Sequence, residues 1–132
     1  MDQFSIIGKD IPRVDSRAKA TGSAIYTDDI KLPGMLYGRI LRSPVAHARI
    51  AHIDVRKAKS LSGVKCIITG EDTPKIKYGN WRLFPVTQDE YPLAVDKVRF
   101  IGDEVAAVAA VDRETAEEAL ELIRVDAHQV HI

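Results

Sequence analysis

Apolar and polar residues along this chain change rhythm several times, and each change marks an element. Leu36-Tyr37-Gly38-Arg39-Ile40-Leu41 reads as a strand. Ser43-Pro44 ends it, because proline has no N–H to give a sheet ladder and restrains the residue before it. Between Arg49 and Val55, Ala51, Ile53 and Val55 alternate with His52 and Asp54, the period of a half-buried strand. A short helical turn over Arg56 to Leu61 leads through Gly63 to a third strand, Val64 to Thr69. Lys97 to Ile101 and Glu104 to Val111 flank Gly102-Asp103 and read as a hairpin, although Gly-Asp is a weaker turn signal than Asn-Gly. The period then lengthens. Ala116, Ala119, Leu120 and Ile123 fall at i, i+3, i+4 and i+7, which predicts a helix from Asp112, its N-cap, to about Ile123. Glu114 suits the positive end of that helix, but Glu114/Glu118 and Glu117/Glu121 repel at i,i+4, so burial of the apolar stripe must hold it.

Two stretches lack any such rhythm. Over residues 1–34, Gly8, Pro12, Gly22, Pro33 and Gly34 punctuate charged dipeptides, which predicts an extended arm that needs a surface to lie on. From Gly70 to Pro92 the chain holds three prolines, two glycines and its only tryptophan. Loops longer than about 12 to 15 residues are uncommon in compact domains and are functional or ordered by a partner when they occur. Trp81, Phe84 and Tyr91 argue against simple disorder, since disordered segments are poor in aromatics.

Composition narrows the classes of function more than it selects one. A chain of 132 residues, 45% of them hydrophobic, can bury one real core. Nineteen basic residues balance nineteen acidic ones without a long block of either sign, so neither nucleic acid nor an anionic membrane is favoured as a partner. A net charge of zero also gives little repulsion against self-association, which leaves a homo-oligomer open. No apolar stretch approaches the roughly 20 residues of a membrane helix, and no basic-then-apolar leader opens the chain, so a cytoplasmic location is expected. The single cysteine, Cys66, lies in the apolar run Val64 to Ile68. It excludes an internal disulfide, fits a reducing compartment, and is expected to be buried.

No catalytic, cofactor-binding or metal-binding residue can be assembled from these side chains. His47 and His52 are five apart and face opposite sides of a regular strand, while His128 and His131 have only Asp126 near them, too few ligands for a structural zinc and closer to a frayed tail. The acidic pairs Asp28-Asp29, Glu71-Asp72, Asp89-Glu90 and Asp103-Glu104 are neighbours in sequence, which suits turns and caps rather than the facing geometry of acid–base chemistry. Ser43 lacks the glycine-flanked setting of a nucleophile elbow, and the scattered glycines form no phosphate loop. Arg39, Arg42, Arg49 and Arg56 cluster near one strand pair. They either form a solvated sheet face or dock a neighbouring domain or phosphorylated ligand through bidentate contacts.

A resemblance adds what the residues alone do not give. Leu41-Arg42-Ser43-Pro44-Val45-Ala46-His47-Ala48-Arg49-Ile50 resembles a signature of the molybdenum-binding large subunit in the xanthine dehydrogenase and aldehyde oxidase family. Ile7-Gly8-Lys9 through Arg13 and Asp15, then Lys19-Ala20-Thr21-Gly22, Tyr26-Thr27-Asp28-Asp29, Leu32-Pro33-Gly34-Met35-Leu36 and Gly63-Val64 are similar to the same family's opening. Asp96-Lys97-Val98-Arg99-Phe100-Ile101-Gly102-Asp103-Glu104-Val105-Ala106 is similar to the strand and turn before its Ala-rich helix. Together these cover roughly residues 6 to 126. Val86-Thr87-Gln88-Asp89-Glu90 and Leu93-Ala94-Val95-Asp96-Lys97 look most like the 4-hydroxybenzoyl-CoA reductase α-subunit branch.

The resemblance implies an α+β fold, the family's α/β hammerhead-type domain, with a mixed sheet, a C-terminal amphipathic helix and a long irregular N-terminal arm. Its expected layout is an arm over 1–34, the hammerhead domain over 35–126 and a divergent tail over 127–132. By the same resemblance the complete enzyme holds molybdopterin cytosine dinucleotide, iron–sulfur clusters and FAD. Its partners are then the molybdenum-binding domain of the same enzyme together with iron–sulfur and flavin subunits. The family's catalytic glutamate and cofactor motifs belong to later domains, and no position here matches them. After Val125-Asp126 the family continues with a tyrosine, an acidic residue and a Leu-Pro linker, whereas this chain reads Ala127-His128-Gln129-Val130-His131-Ile132. A split or truncated gene product and a fragment both account for that. The expected role is an accessory domain of a molybdenum hydroxylase-type oxidoreductase, inactive alone, and the alternative is a free-standing binding module that kept the fold and lost the enzyme. The substrate is not legible.

Overall fold

The computed structural model describes residues 4, 6–79 and 88–129. Trp81, Phe84, Val86, Thr87 and His131 lie outside the described residues. The chain divides into two compact units, Met1–Pro33 and Gly34–Ile132.

The first unit corrects the expectation of a wholly irregular arm. Helix α1, Ser16–Ala20, and a 3-10 turn, Thr27–Asp29, interrupt it. Asp15 starts α1 and is held by Lys19 at 2.7 Å and Arg13 at 2.9 Å, and Thr21 ends it with a hydroxyl donated to the Arg17 carbonyl. Asp29 folds back to accept the Tyr26 N–H at 2.9 Å. Short-range polar contacts therefore shape this unit, because neither helix buries a residue and Ile6, Ile7, Ile11, Val14, Ile25, Ile30 and Leu32 are all exposed.

The second unit is built in chain order from β1 (Tyr37–Arg42), β2 (Ala48–Asp54), α2 (Arg56–Ser60), β3 (Val64–Thr69), β4 (Lys97–Val98), β5 (Glu104–Ala110), α3 (Arg113–Leu122) and β6 (Arg124–Gln129). The α+β class stands, and its sheet resolves into two three-stranded antiparallel sheets, β1-β5-β3 and β4-β2-β6. The expected hairpin over 97–111 is not formed. β4 pairs with β2, Val98 opposite Ala48, while β5 pairs with β1 and β3, so the Gly102-Asp103 turn carries the chain from one sheet to the other. The tail expected from residue 127 also starts inside a strand. Ala127, His128 and Gln129 pair with Ile50, Arg49 and Ala48 of β2.

Two small cores match the two sheets. Ala58 of α2, Ala119 of α3, Ile67, Ala106, Val108 and Ile123 form the first; Ala48, Ala94, Val98 and Val105 form the second. Ile53 and Val125 border both. Alanines at 58 and 119 bring the helices close, since neither has a side chain to hold them apart. Asp112 caps α3 as expected, accepting the Thr115 N–H at 2.7 Å, and Ala116, Ala119 and Ile123 turn inward, with Leu120 half-buried beside them. Cys66 is exposed, contrary to its expected burial. A β-bulge between Val64 and Cys66 precedes Ile67, which takes the inward place.

Candidate functional site

The two stretches that stand out most in the sequence meet in space. β1 ends at Arg42, and Ser43, which is 5% exposed, starts the turn before β2. The Ser43 hydroxyl donates to the Val45 carbonyl at 2.8 Å and accepts the Val45 N–H at 3.2 Å, closing the turn that Pro44 permits. Its backbone reaches sixty residues onward. The Ser43 N–H donates to the Asp103 carbonyl and the Gly102 N–H donates to the Ser43 carbonyl, both at 2.8 Å. Arg42 Nη1 lies across the junction, donating to the Gly102 carbonyl at 2.8 Å and to Glu104 Oε1 at 2.6 Å. Asp103 is buried, and its carboxylate accepts the Arg99 N–H at 2.8 Å. Gly102 has φ +97°, a conformation side-chain-bearing residues rarely adopt, which explains a glycine at the corner.

Beside this junction an apolar cavity of about 400 Å³ opens between the sheets, lined by Leu41, Pro44, Val45, Ile50, Val98 and Val105 among others. A second cavity, of about 440 Å³, lies where the two ends of the 70–92 excursion meet, against Tyr78, Glu90, Tyr91, Arg99, Phe100 and Asp103. Tyr78 and Glu90 pair backbone to backbone across its neck, and Lys77 Nζ sits 5.5 Å from the centre of the Tyr91 ring. The base of the excursion is pinched: Gly70 lies so close to Ala94 that a Cβ on it would stand 2.2 Å from the Ala94 carbonyl oxygen.

The other singled-out residues take structural positions. His47 precedes β2, and its Nδ1 is buried without a hydrogen-bond partner among the described residues; His52 and His128 are exposed on β2 and β6. Arg39 meets Glu117 of α3 at 3.1 Å, Arg42 meets Glu104, and Arg56 meets Asp54 at 2.7 Å, so three of the four clustered arginines serve the domain's own carboxylates. Arg56 holds the Asp54 carboxyl well below the usual carboxylate range. Asp72 is lowered by the N–H and hydroxyl of Thr69, and Asp112 by the Thr115 side chain and N–H. Of the paired acids, Asp29, Asp72 and Asp103 accept local backbone N–H groups, the turn and cap roles expected of them. Among the described residues no three His, Cys, Asp or Glu side chains converge as a metal cage. A single exposed cysteine does not fit an iron–sulfur cluster, which takes several thiolates.

Residues 21–130 match the family described as aldehyde oxidase and xanthine dehydrogenase, a/b hammerhead domain. The chain belongs to that family. The hammerhead domain is 42% identical over 120 residues to a probable xanthine dehydrogenase subunit of Bacillus subtilis, a match covering 91% of this chain and 16% of that protein. It is 37% identical over 123 residues to the nicotinate dehydrogenase large molybdopterin subunit of Eubacterium barkeri, covering 93% of this chain and 28% of that one. Quinoline 2-oxidoreductase from Pseudomonas putida 86 superposes with a TM-score of 0.83 at 36% identity, covering 94% of this chain and 16% of that chain. The hammerhead domain thus spans a sixth to just over a quarter of these relatives. Sequence reasoning identified both signature stretches but missed that they bond to each other, and nothing in their order along the chain signals it. Among the described residues no helix is long and apolar enough to cross a membrane.

Proposed function

We propose that this hammerhead domain serves the large subunit of a molybdenum hydroxylase-type oxidoreductase as a packing domain, placed against the portion that carries molybdopterin. The observation that supports this reading most is where the signature residues direct their polar groups. Ser43, Gly102 and the Asp103 backbone bond to one another, and Arg42 bonds to Gly102 and Glu104. The groups that join the two stretches are satisfied internally, as in a motif built to hold a shape, and His47, whose buried Nδ1 has no partner among the described residues, stands outside that network. The iron–sulfur and flavin partners and the molybdopterin of the complete enzyme then belong to other domains and subunits. Within the family, Gln88-Asp89-Glu90 and Leu93 to Lys97 support the 4-hydroxybenzoyl-CoA reductase branch.

The test is replacement. The chain is put in place of the matching segment of the Bacillus subtilis protein, and molybdenum content and dehydrogenase turnover are measured. Retention of metal and of turnover within about tenfold of the parent is expected. An assembled chimera that holds metal but has lost turnover by more than a thousandfold would assign chemistry to this segment and refute the packing role.

A further inference from the structure

The β1-β5-β3 sheet has one face packed on the helices and one face left open. Arg39 reaches Glu117 of α3, and Leu41, Ala106, Val108 and Ile67 pack into the core with Ala58 and Ala119, which fixes the helix side. Side chains alternate along a strand, so their neighbours point the other way. The ladder then sets those neighbours in two rows across three strands. Ile40, Ala107 and Ile68 form one, and Gly38, Ala109 and Cys66 the next. Ile40 is 44% exposed, Ile68 is 37% exposed and Cys66 is exposed, while the central alanines are half-covered by the flanking strands. No charged or polar group beyond the thiol interrupts the two rows. Small alanines occupy the central strand, with isoleucines at either side of one row and Gly38 and Cys66 at either side of the other, which lets another backbone approach closely.

The size of the face selects its occupant. Three strands about 4.8 Å apart and two rows about 7 Å apart give an area on the order of 200 Å². A free-standing complex needs roughly 800 Å² from each partner. A second copy of this chain could not be held here by this face alone, whereas a body joined to the domain through the chain meets it at high effective concentration. The relatives supply the length for such a body, since the matched segment is 16% of the Bacillus subtilis protein and of the quinoline enzyme's chain. We propose that the open face of the β1-β5-β3 sheet is the seat of an apolar segment from the remainder of the large subunit, with Ile40 and Ile68 as its anchors and Cys66 beneath the contact. This rests on the large-subunit reading above.

Cys66 is the chain's only cysteine and reports on the face directly. The full chain and the Bacillus subtilis chimera are treated with iodoacetamide under native conditions, and alkylation is followed on the peptide that begins at Cys66 by mass spectrometry. At least a tenfold slower reaction in the chimera than in the chain alone is expected, together with at least a tenfold loss of assembled chimera on Ile40→Asp. The chain alone carrying the same substitution still unfolds cooperatively, so that loss of the chimera is not loss of the domain's fold. An assembled chimera in which Cys66 reacts as fast as in the chain alone overturns the proposal and leaves the large-subunit reading standing. A chimera that does not assemble although the parent does refutes that reading, and the proposal falls with it. Protection of Cys66 in the chain alone, with a mass that doubles as concentration rises, makes a second copy the occupant and also overturns it.

Discussion

Gly70→Ala and Gly38→Ala are the same chemical change with opposite expected signs. At Gly70 the added methyl would lie 2.2 Å from the Ala94 oxygen, 2.8 Å from the Ala94 carbonyl carbon and 2.9 Å from Val95 Cα. Carbon atoms rest about 3.5 to 4.0 Å apart, so backbone must move by roughly 1 Å. It resists, because Ala94 is buried and its N–H is tied to the Glu104 carbonyl at 2.6 Å. Forcing a methylene into packed surroundings costs about 1 to 3 kcal/mol, and contact with backbone puts this case at the upper end. Restricting the unfolded chain returns about 0.4 to 1 kcal/mol, for a net loss of roughly 2 kcal/mol. Gly38 has no atom within 4 Å of its virtual Cβ and lies in a strand, so only the unfolded-state gain of about 0.4 to 1 kcal/mol remains. With a urea slope of about 1 to 3 kcal/mol/M, the roughly 3 kcal/mol gap separates the two unfolding midpoints by about 1 to 3 M, on either side of the parent. Coincident midpoints would show that strand β3 and the Ala94 segment do not meet as described.

Three further outcomes follow from the core, the turn and the acids. Leu120→Ala should cost about 2 kcal/mol, the low end for a leucine truncation because Leu120 is half-buried, while Glu118→Ala on the exposed side should shift stability by less than about 0.5 kcal/mol; equal denaturant midpoints would refute the helix facing. Ser43→Ala removes both bonds to Val45 from a buried site and should cost about 1 to 3 kcal/mol by thermal or urea melts, whereas no loss would mean that the turn holds without its hydroxyl. Asp15, Asp54, Asp72 and Asp112 all have carboxyls lowered in the fold, so their contribution is complete above the ordinary aspartate value near 3.9 and disappears as pH falls through the lowered values. Melting temperature should therefore be flat from about pH 8 to 5 and fall below about pH 4, and Asp112→Asn, which keeps a capping oxygen without the charge, should match the parent at pH 7 and lose less on acidification. An identical acid limb in parent and variant would exclude Asp112 from it.

What was legible in the sequence is what local chemistry decides. Val64 to Thr69 and the helix capped by Asp112 fall where period and capping place them, because a strand flanked by glycines and a helix with one apolar stripe carry their boundaries in their own residues. The missed features all depend on partners distant in sequence. The 97–111 stretch has the residues of a hairpin, yet β4 finds β2 and β5 finds β1 and β3. Ala127 and His128 carry no apolar signal of a strand, and the backbone of β2 makes them one, since a ladder needs N–H and carbonyl groups and not side chains. The α1 helix is too short for any period to show and is set by Arg13, Asp15 and Lys19.

The same distinction separates the two signature stretches from their use. Each stands out in the sequence by its resemblance to the family, the Leu41 to Ile50 run with its Ser43-Pro44 and the Asp96 to Ala106 run with its Gly102-Asp103 turn. In the fold the Ser43 backbone bonds to Gly102 and Asp103 and the Asp103 carboxylate accepts the Arg99 N–H, so these residues are the means of joining two sheets. That junction is also why the open face of the β1-β5-β3 sheet is fixed in position. β1 and β5 each run from one side of it, so a segment seated on Ile40, Ala107 and Ile68 meets a surface two of whose three strands are clamped at the same end.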